Sequence, residues 1–247
     1  MPQRLKFIVA YDGAAFAGWQ SQLHRKTIQD ELEGAFRKIA GARVRVHGAG
    51  RTDAGVHALA QCAHVDLVDR KLSAERWPTA LNASLPPTIR VLGSRYVSQQ
   101  FHARFSAKGK LYRYRIWAGP ILPPLEFGRA WHVSRPLDVD LLKSAGRKLV
   151  GRHDFAEFAA NRGQKEESTI RAIQSVVVRK KGVCVTIDVA GDGFLYKMVR
   201  LMVGAMATVA LGKMQLSEIE TRLRSGRTNG QRFVAPAEGL YLLRIWY

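Results

Sequence analysis

A glycine-rich loop in the sequence carries a carboxylate together with groups that can orient it. The loop Gly48–Gly55 contains Asp53, which is preceded by Arg51 and Thr52. Glycines let a backbone approach a bulky ligand closely, and a neighbouring guanidinium and hydroxyl can keep a carboxylate ionised and oriented. Asp53 is therefore a candidate reactive group. From the residues alone, an equally good explanation is that Asp53 caps a tight turn, as aspartate often does.

The same loop begins a glycine pattern of the dinucleotide-binding type, but it departs from that pattern twice. Asp53 occupies the position of the third glycine, where its charge would face a pyrophosphate, and the residues that follow alternate as in a strand. A second pair, Gly146 and Gly151, has the spacing of a phosphate loop but is followed by Arg152 and His153 in place of Lys and Ser or Thr. We therefore expect no nucleotide cofactor, and a dinucleotide-dependent enzyme remains an alternative.

A single charged residue lies in the longest apolar stretch of the chain. Arg200 is the one charged residue of Met198–Leu211, a segment so apolar that a helix there must be largely buried. A buried guanidinium is costly unless an anion pairs with it. The near candidates for that anion are Asp188 and Asp192, and the distant candidate is Asp53. If Arg200 instead lies in an exposed first turn of the helix, it is simply solvated.

Tyrosines and arginines alternate along one predicted strand. Tyr112 and Tyr114 share one face of this strand, whereas Arg113 and Arg115 share the other. One face could stack a nucleobase while the other meets phosphate or solvent. The alternative is a pair of tyrosines that face the core, which is the commoner arrangement in strands.

The histidines and cysteines predict no metal site. Cys62, His57 and His64 lie close together in the sequence, but they match no known ligand spacing, and strand alternation accounts for them. The second cysteine is Cys184, and no CxxC pair occurs, which argues against a disulfide framework and favours a reducing compartment. The apolar stretch that contains Arg200 is too short to span a membrane. We expect a cytoplasmic protein without a metal ion.

The charge of the chain favours a polyanionic partner. Thirty-nine Lys and Arg against twenty Asp and Glu give a net charge of +19, and both halves of the sequence are basic. The segment 76–125 has eight cations, no acid and several aromatic residues, a combination that suits phosphates and unstacked bases. A basic surface with nonspecific RNA affinity would have the same composition.

The elements that must position these residues predict a mixed fold. Apolar runs and turn residues predict strands over 5–11, 44–47, 61–67, 89–97, 111–117, 173–179, 183–189 and 241–247. Helical spacing and caps predict helices over 27–40, 73–82, 138–150 and 198–211, with a short one from Ser217. Strands and helices do not alternate strictly, so we expect an α+β protein of two similar mixed α/β halves. The two sheets could join into one, and we expect no doubly wound parallel sheet. The predicted domains are 1–105, which carries the Asp53 loop, and 106–247, which carries Tyr112 and Arg200.

Several sequence blocks resemble one family of RNA-modifying enzymes. Gly50-Arg-Thr-Asp-Ala-Gly-Val-His-Ala58 is similar to the signature of the tRNA pseudouridine synthase A family. Further blocks in the same order resemble it along nearly the whole chain, among them Tyr11-Asp-Gly, Phe16-x-Gly-Trp-Gln20, Phe101-His-Ala-Arg-Phe-Ser-Ala107, Lys110-x-Tyr-x-Tyr114, Phe194-Leu-Tyr-x-Met-Val-Arg200 and Glu238-Gly-Leu-Tyr-Leu242.

The resemblance implies an activity and a role for each candidate residue. The family converts uridine to pseudouridine at positions 38, 39 and 40 of the tRNA anticodon stem-loop, without cofactor or metal, and usually as a homodimer. The resemblance also implies two halves with largely antiparallel sheets flanked by helices and a cleft between the halves. By motif, Asp53 resembles the catalytic carboxylate and Arg200 the cation that holds it. Tyr112 resembles the aromatic residue that stacks on the flipped uracil, and Arg51 the arginine that helps to extrude the base. The alternative to such an RNA isomerase is a noncatalytic RNA-binding or chaperone protein that uses the same basic cleft.

Overall fold

The computed structural model describes residues 3–69, 71–161, 168–225 and 232–247. Contacts within the chain divide it into two units. Unit 1 comprises Met1–Lys108 and Tyr241–Tyr247, and unit 2 comprises Gly109–Leu240. These units are defined by contacts alone, so the domain limits proposed above stay a prediction.

The described residues form ten strands and five α-helices. The strands are β1 (Gln3–Tyr11), β2 (His47–Gly48), β3 (His57–Leu67), β4 (Ile89–Val97), β5 (Gly109–Ala118), β6 (Trp131–Val133), β7 (Gly151–Asp154), β8 (Ile170–Lys181), β9 (Cys184–Gly191) and β10 (Leu240–Trp246). The helices are α1 (Ile28–Ala40), α2 (Trp77–Asn82), α3 (Val139–Lys148), α4 (Met198–Ala210) and α5 (Ser217–Ser225). Mixed α/β structure with mostly antiparallel strands confirms the predicted class. Within the described part of the chain, no helix is long and apolar enough to cross a membrane.

The strands of unit 1 pair in the order β4-β1-β3-β10, and β2 pairs with β3 on the side. β1 is antiparallel to both β3 and β4, whereas β10 is parallel to β3. Leu5, Phe7 and Val9 alternate along β1 and are fully buried. This alternation is what fixes the register of a half-buried strand.

Helix α1 has both ends defined by its sequence. Thr27 precedes the helix in an extended conformation and its side chain accepts a hydrogen bond from the Asp30 backbone N–H. Gly41 ends the helix in the left-handed conformation with φ of 72°, where its N–H donates to the carbonyl of Arg37. Leu32 and Phe36, one turn apart, are fully buried. The predicted limits of this helix are confirmed.

The strands of unit 2 pair in the order β5-β9-β8-β7, with β6 parallel to β5. Eleven of the thirteen residues of α4 are buried, as its apolar sequence predicts. A Cβ at Gly146 in α3 would lie 3.2 Å from the Met206 side chain of α4, so this glycine allows the two helices to approach. A Cβ at Gly204 would lie 2.0 Å from the Phe233 carbonyl oxygen, so a backbone segment crosses α4 at that point.

Two predicted elements are incorrect in detail, and two short strands were not predicted. Residues 44–46 lie outside any strand, so the strand predicted over 44–47 is reduced to β2. The helix predicted from residue 73 to 82 is a 3-10 turn (Ala74–Arg76) followed by α2. The strands β6 and β7 were not predicted, because three or four residues are too few to establish an alternating pattern.

Candidate active site

The loop that carries Asp53 joins β2 to β3 and is held by the segment that follows β1. The Trp19 backbone N–H donates to the carbonyl of Thr52 at 3.0 Å, and the Gly55 N–H donates to the carbonyl of Phe16 at 3.4 Å. Within the loop, the Val56 N–H donates to the carbonyl of Asp53 at 3.1 Å. The backbone on both sides of the Asp53 side chain is therefore fixed by hydrogen bonds.

Two glycines allow this close backbone contact. A Cβ added at Gly18 would lie 2.6 Å from the carbonyl oxygen of Thr52, and Gly18 has a φ of 99°, which favours glycine. A Cβ added at Gly13 would lie 2.0 Å from the carbonyl oxygen of Val56. Side chains at either position would force the loop away from the segment that supports it.

The buried side chain of Thr52 anchors the loop to β1. Its hydroxyl lies 2.8 Å from the Tyr11 hydroxyl, and both side chains are buried, Thr52 with 6% and Tyr11 with 4% exposed. Burial raises the pKa of Tyr11, so this phenol remains protonated in the physiological range. Beside it, the Gln61 side-chain amide donates to the carbonyl of Gly50 at 2.7 Å.

This anchoring determines which side chains the loop presents. Thr52 is buried, whereas its neighbours are more accessible: Arg51 is exposed and Asp53 is half-buried. The loop thus combines a rigid backbone with a carboxylate and a guanidinium two residues apart. Catalysis by a positioned carboxylate requires such a fixed geometry.

His57, considered above as a possible ligand, holds the end of the loop instead. The Gly13 backbone N–H donates to its Nδ1 at 3.1 Å, and the imidazole stacks on the ring of Tyr241 with centroids 4.7 Å apart. The side chain is 3% exposed. His57 therefore fixes the start of β3 to the end of β1.

The two tyrosines of β5 lie on the same face of that strand, as predicted, and both are buried. Tyr114 is fully buried and its hydroxyl donates to the carbonyl of Pro236 at 2.6 Å. Tyr112 is 7% exposed, and its ring meets the edge of the Phe194 ring with centroids 5.0 Å apart. Tyr114 is thus a core residue. For Tyr112, stacking on a base stays a prediction.

The arginines on the other face of β5 are paired with carboxylates. This pairing differs from the sequence-based expectation that the face meets phosphate or solvent. Arg113 donates to both carboxylate oxygens of Asp188 at 2.7 and 2.8 Å, and Arg179 donates to the same carboxylate at 2.8 Å. Burial alone would raise the pKa of Asp188, but the bonds from Arg113 and Arg179 hold this pKa below its usual value. Arg115 pairs with Glu126 at 2.7 Å.

Arg200 lies in the first turn of α4 and is half-buried. Its Nε donates to the carbonyl of Ala235 at 2.7 Å, and its own carbonyl accepts from the Ala235 N–H at 3.1 Å. The near partners predicted for it are wrong: Asp188 binds Arg113 and Arg179, and Asp192 accepts from a backbone N–H of β8. A pairing of Arg200 with Asp53 stays a prediction.

One group of chemically versatile side chains was missed by the sequence analysis. His47 lies opposite His64 in the β2–β3 ladder, and His102, in the segment after β4, lies beside both. The three residues are far apart in the sequence, and the pairing that joins the first two rests on a two-residue strand. A metal-ligand spacing could not reveal them, because no local pattern links them.

A strongly basic α/β chain that presents a fixed carboxylate beside an exposed arginine has the character of an enzyme that acts on nucleic acid. The family model for tRNA pseudouridine synthases matches residues 7–106 and 145–247. The chain therefore belongs to the tRNA pseudouridine synthase family. This confirms the family and the enzyme class, an RNA isomerase, that the sequence blocks predict.

Similar proteins extend over the full chain. A protein of Akkermansia muciniphila named tRNA pseudouridine synthase A is 46% identical over 99% of this chain and 95% of its own length. A protein of the same name from Methylacidiphilum infernorum is 41% identical over 98% of this chain and 94% of its own. Among solved structures, the archaeal box H/ACA sRNP Nop10–Cbf5 complex covers 83% of this chain and 44% of that chain, at 12% identity and a TM-score of 0.37.

Proposed function

We propose that the protein isomerises uridine to pseudouridine at positions 38, 39 and 40 of the tRNA anticodon stem-loop. The observation that carries this proposal is the anchored loop of a chain of this family, in which Thr52 is buried and held by Tyr11 while the adjacent Asp53 is half-buried. The net charge of +19 supports a polyanionic substrate.

The proposed reaction explains why a carboxylate is needed. The bond between uracil N1 and ribose C1′ breaks, a bond between C5 and C1′ forms, N1 gains a proton and C5 loses one. No redox equivalent is consumed, so the step requires no nicotinamide. The Asp53 carboxylate either attacks C1′ or C6 or removes the ribose 2′ proton, and each of these routes needs its ionised form.

The other residues are proposed to make the uridine accessible and to support the carboxylate. Flipping a base out of a stem costs a few kcal/mol, and stacking of the flipped base on an aromatic ring contributes about 1 to 3 kcal/mol of stabilisation. We assign this stacking to Tyr112, whose ring packs nearly perpendicular to that of Phe194. Arg51, exposed on the loop, helps to extrude the base, and Arg200 holds the Asp53 carboxylate ionised.

We further propose that the protein acts as a homodimer in the cytoplasm. In support of an intermolecular surface, unit 2 exposes three large apolar side chains within seven residues, namely Ile121, Leu125 and Phe127, each 77 to 83% exposed. Apolar side chains clustered in this way are typical of protein interfaces. A cytoplasmic location suits a protein with two free cysteines, of which Cys62 is buried.

Tritium release tests the activity and the role of Asp53 together. An unmodified tRNA transcript tritiated at uracil C5 is incubated with the protein, with Asp53→Asn and with the control Asp140→Asn. Asp140 is an exposed carboxylate that pairs with Lys143 at the surface. We expect release by the wild type and by Asp140→Asn, and none by Asp53→Asn, which keeps the shape but loses the charge. Tight tRNA binding without release by the wild type would instead identify a noncatalytic RNA-binding protein.

A further inference from the structure

Three imidazoles of unit 1 form a compact cluster. One ring nitrogen of each of His47, His64 and His102 lies within 4.8 Å of a ring nitrogen of the other two. The ring of His47 stacks on that of His64 with centroids 4.9 Å apart, and His102 meets His64 edge-on at 4.7 Å. His64 is buried, His102 is half-buried and His47 is exposed, so the cluster opens at the surface.

Backbone hydrogen bonds determine which nitrogen of two of these rings carries the proton. The Ala103 N–H donates to Nδ1 of His64 at 3.1 Å. The N–H groups of Arg104 and Phe105 donate to Nδ1 of His102 at 3.1 and 3.3 Å. A neutral imidazole whose Nδ1 accepts a hydrogen bond carries its proton on Nε2. Both rings therefore offer an N–H donor at Nε2 rather than a lone pair.

The charges around the cluster are positive. Burial and the charge of Arg4 lower the pKa of His64 to about 4, and burial together with the neighbouring His47 and Arg4 lowers that of His102, so both rings are neutral at pH 7. Asp66, whose two carboxylate oxygens accept from Arg4 at 2.8 and 2.7 Å, offsets part of this field, but the lowering effects on both rings are larger. N–H donors in a positive field suit an anion. A metal ion would meet the wrong tautomers and the wrong sign of charge.

An exposed aromatic ring lies beside the cluster. Phe105 is 77% exposed, and its ring centroid lies 4.4 Å from that of His102. The guanidinium carbon of Arg104 lies 5.5 Å from the Phe105 ring centroid. Aromatic faces of this kind stack nucleobases regardless of sequence. The combination of N–H donors, an arginine and an exposed ring suits RNA better than a small free anion.

We propose that this imidazole cluster is an RNA-binding subsite in which His47 and His102 donate to a backbone phosphate and Phe105 stacks on a neighbouring base. Buried His64 is a positioning residue that orients the other two rings. The identity of the RNA as tRNA rests on the proposed function, whereas the binding of a phosphate group does not. The subsite lies on unit 1 and uses none of the residues assigned to the chemistry.

Imidazole nitrogen NMR tests the ligand chemistry directly. The full-length protein is titrated with inorganic phosphate against chloride at equal ionic strength, and separately with zinc. We expect phosphate to shift the Nε2 resonances of His47 and His102 and to leave those of His132 and His153 in unit 2 unchanged. Zinc shifts at the cluster without phosphate shifts would overturn the proposal in favour of a metal site. Equal phosphate shifts at all histidines would show an adventitious ion only, which also overturns it.

Variants test whether RNA uses the subsite. We expect His47→Phe with His102→Asn to raise the KM for tRNA in the tritium assay about fivefold or more, since bonds to a phosphate are lost. Phenylalanine keeps the stacking on His64, and the Asn Oδ1 replaces the Nδ1 acceptor, so the fold is retained. His24→Asn, at an exposed histidine elsewhere in unit 1 whose left-handed φ of 56° asparagine tolerates, is the control. An unchanged KM in an active double variant would refute the subsite. Failure of the proposed function would instead abolish tritium release in the wild type while the phosphate shifts persist.

Discussion

Replacing Tyr11 by phenylalanine tests whether the contact beneath the loop positions Asp53. The substitution removes one hydroxyl and keeps the ring, which lies 6.1 Å from that of Trp19. Thr52, with 6% of its side chain exposed, then loses the partner at 2.8 Å. An unsatisfied buried hydroxyl costs about 1 to 3 kcal/mol. A chain of this length loses about 2 to 4 °C of Tm per kcal/mol, so we expect the Tm to fall by about 2 to 12 °C.

The same substitution should impair the chemical step. Without the Tyr11 hydroxyl, Thr52 is less constrained and the adjacent Asp53 is less well placed. A misplacement of about 1 Å can reduce a rate about a hundredfold. We therefore expect kcat to fall about ten- to a hundredfold, with the KM for tRNA within about twofold because no binding residue changes. Tritium release at a temperature well below the Tm of the variant measures both constants.

Tyr96→Phe is the matched control. The Tyr96 hydroxyl donates to the Leu72 carbonyl at 2.8 Å and accepts from Trp77 Nε1 at 3.1 Å. Tyr96 lies opposite Leu5, at the other end of β1 from Tyr11. We expect a comparable fall in Tm with kcat retained. If Tyr11→Phe keeps full kcat despite a lower Tm, or if both variants lose kcat equally, the positioning role is refuted.

Three further predictions concern Tyr112, Gly18 and His64. Tyr112→Phe should bind and modify tRNA nearly as well as the wild type, whereas Tyr112→Ala should lose about 1 to 3 kcal/mol of stacking; indistinguishable kinetics for the two would exclude stacking. Gly18→Ala should lower both Tm and kcat, because its Cβ would lie 2.6 Å from the Thr52 carbonyl oxygen at a φ of 99°; calorimetry and tritium release would contradict this if neither changed. The pKa of His64 is about 4 in the folded protein, compared with an ordinary value of 6.5. Between these two pH values the unfolded chain binds more protons than the folded protein, so stability falls as the pH falls from 6.5 to 4. His64→Asn, which keeps an acceptor for the Ala103 N–H, should show a shallower loss of Tm over this range, and an unchanged slope would exclude His64 as the cause.

Local sequence signals predicted the elements of this fold where caps and periodicity agree. Thr27, Gly41 and the apolar spacing between them define α1, and the strand predicted over 89–97 coincides with β4. Local signals do not predict which strands pair when they are far apart in the sequence. The closing strand β10 lies parallel to β3, although nearly the whole of unit 2 separates them in the sequence. No local pattern encodes which strand a chain end will join, because the pairing depends on the packing of elements in between.

The failed partner prediction for Arg200 has the same cause. Asp188 was a reasonable candidate because it lies only twelve residues away. In the structure Asp188 lies directly opposite Arg113 in the β5–β9 ladder, and Arg179 reaches it from β8. A strand register decides such pairs, and register is set by the burial of whole faces rather than by distance along the chain.

Two of the sequence blocks that resemble the family, Tyr11-Asp-Gly and Phe16-x-Gly-Trp-Gln20, pack against the loop that carries Asp53. Tyr11, Gly13, Gly18 and Trp19 precede the loop by about forty residues, and each contacts its backbone or the Thr52 side chain. The hydroxyl and backbone contacts hold the loop, and the two glycines let the segments touch. A carboxylate on an exposed loop would otherwise be mobile, and its positioning would have to come from the substrate. With Asp53 proposed as the catalytic carboxylate, we expect the early segment to position it without supplying a reacting group, and substitutions there should act on kcat more than on tRNA binding.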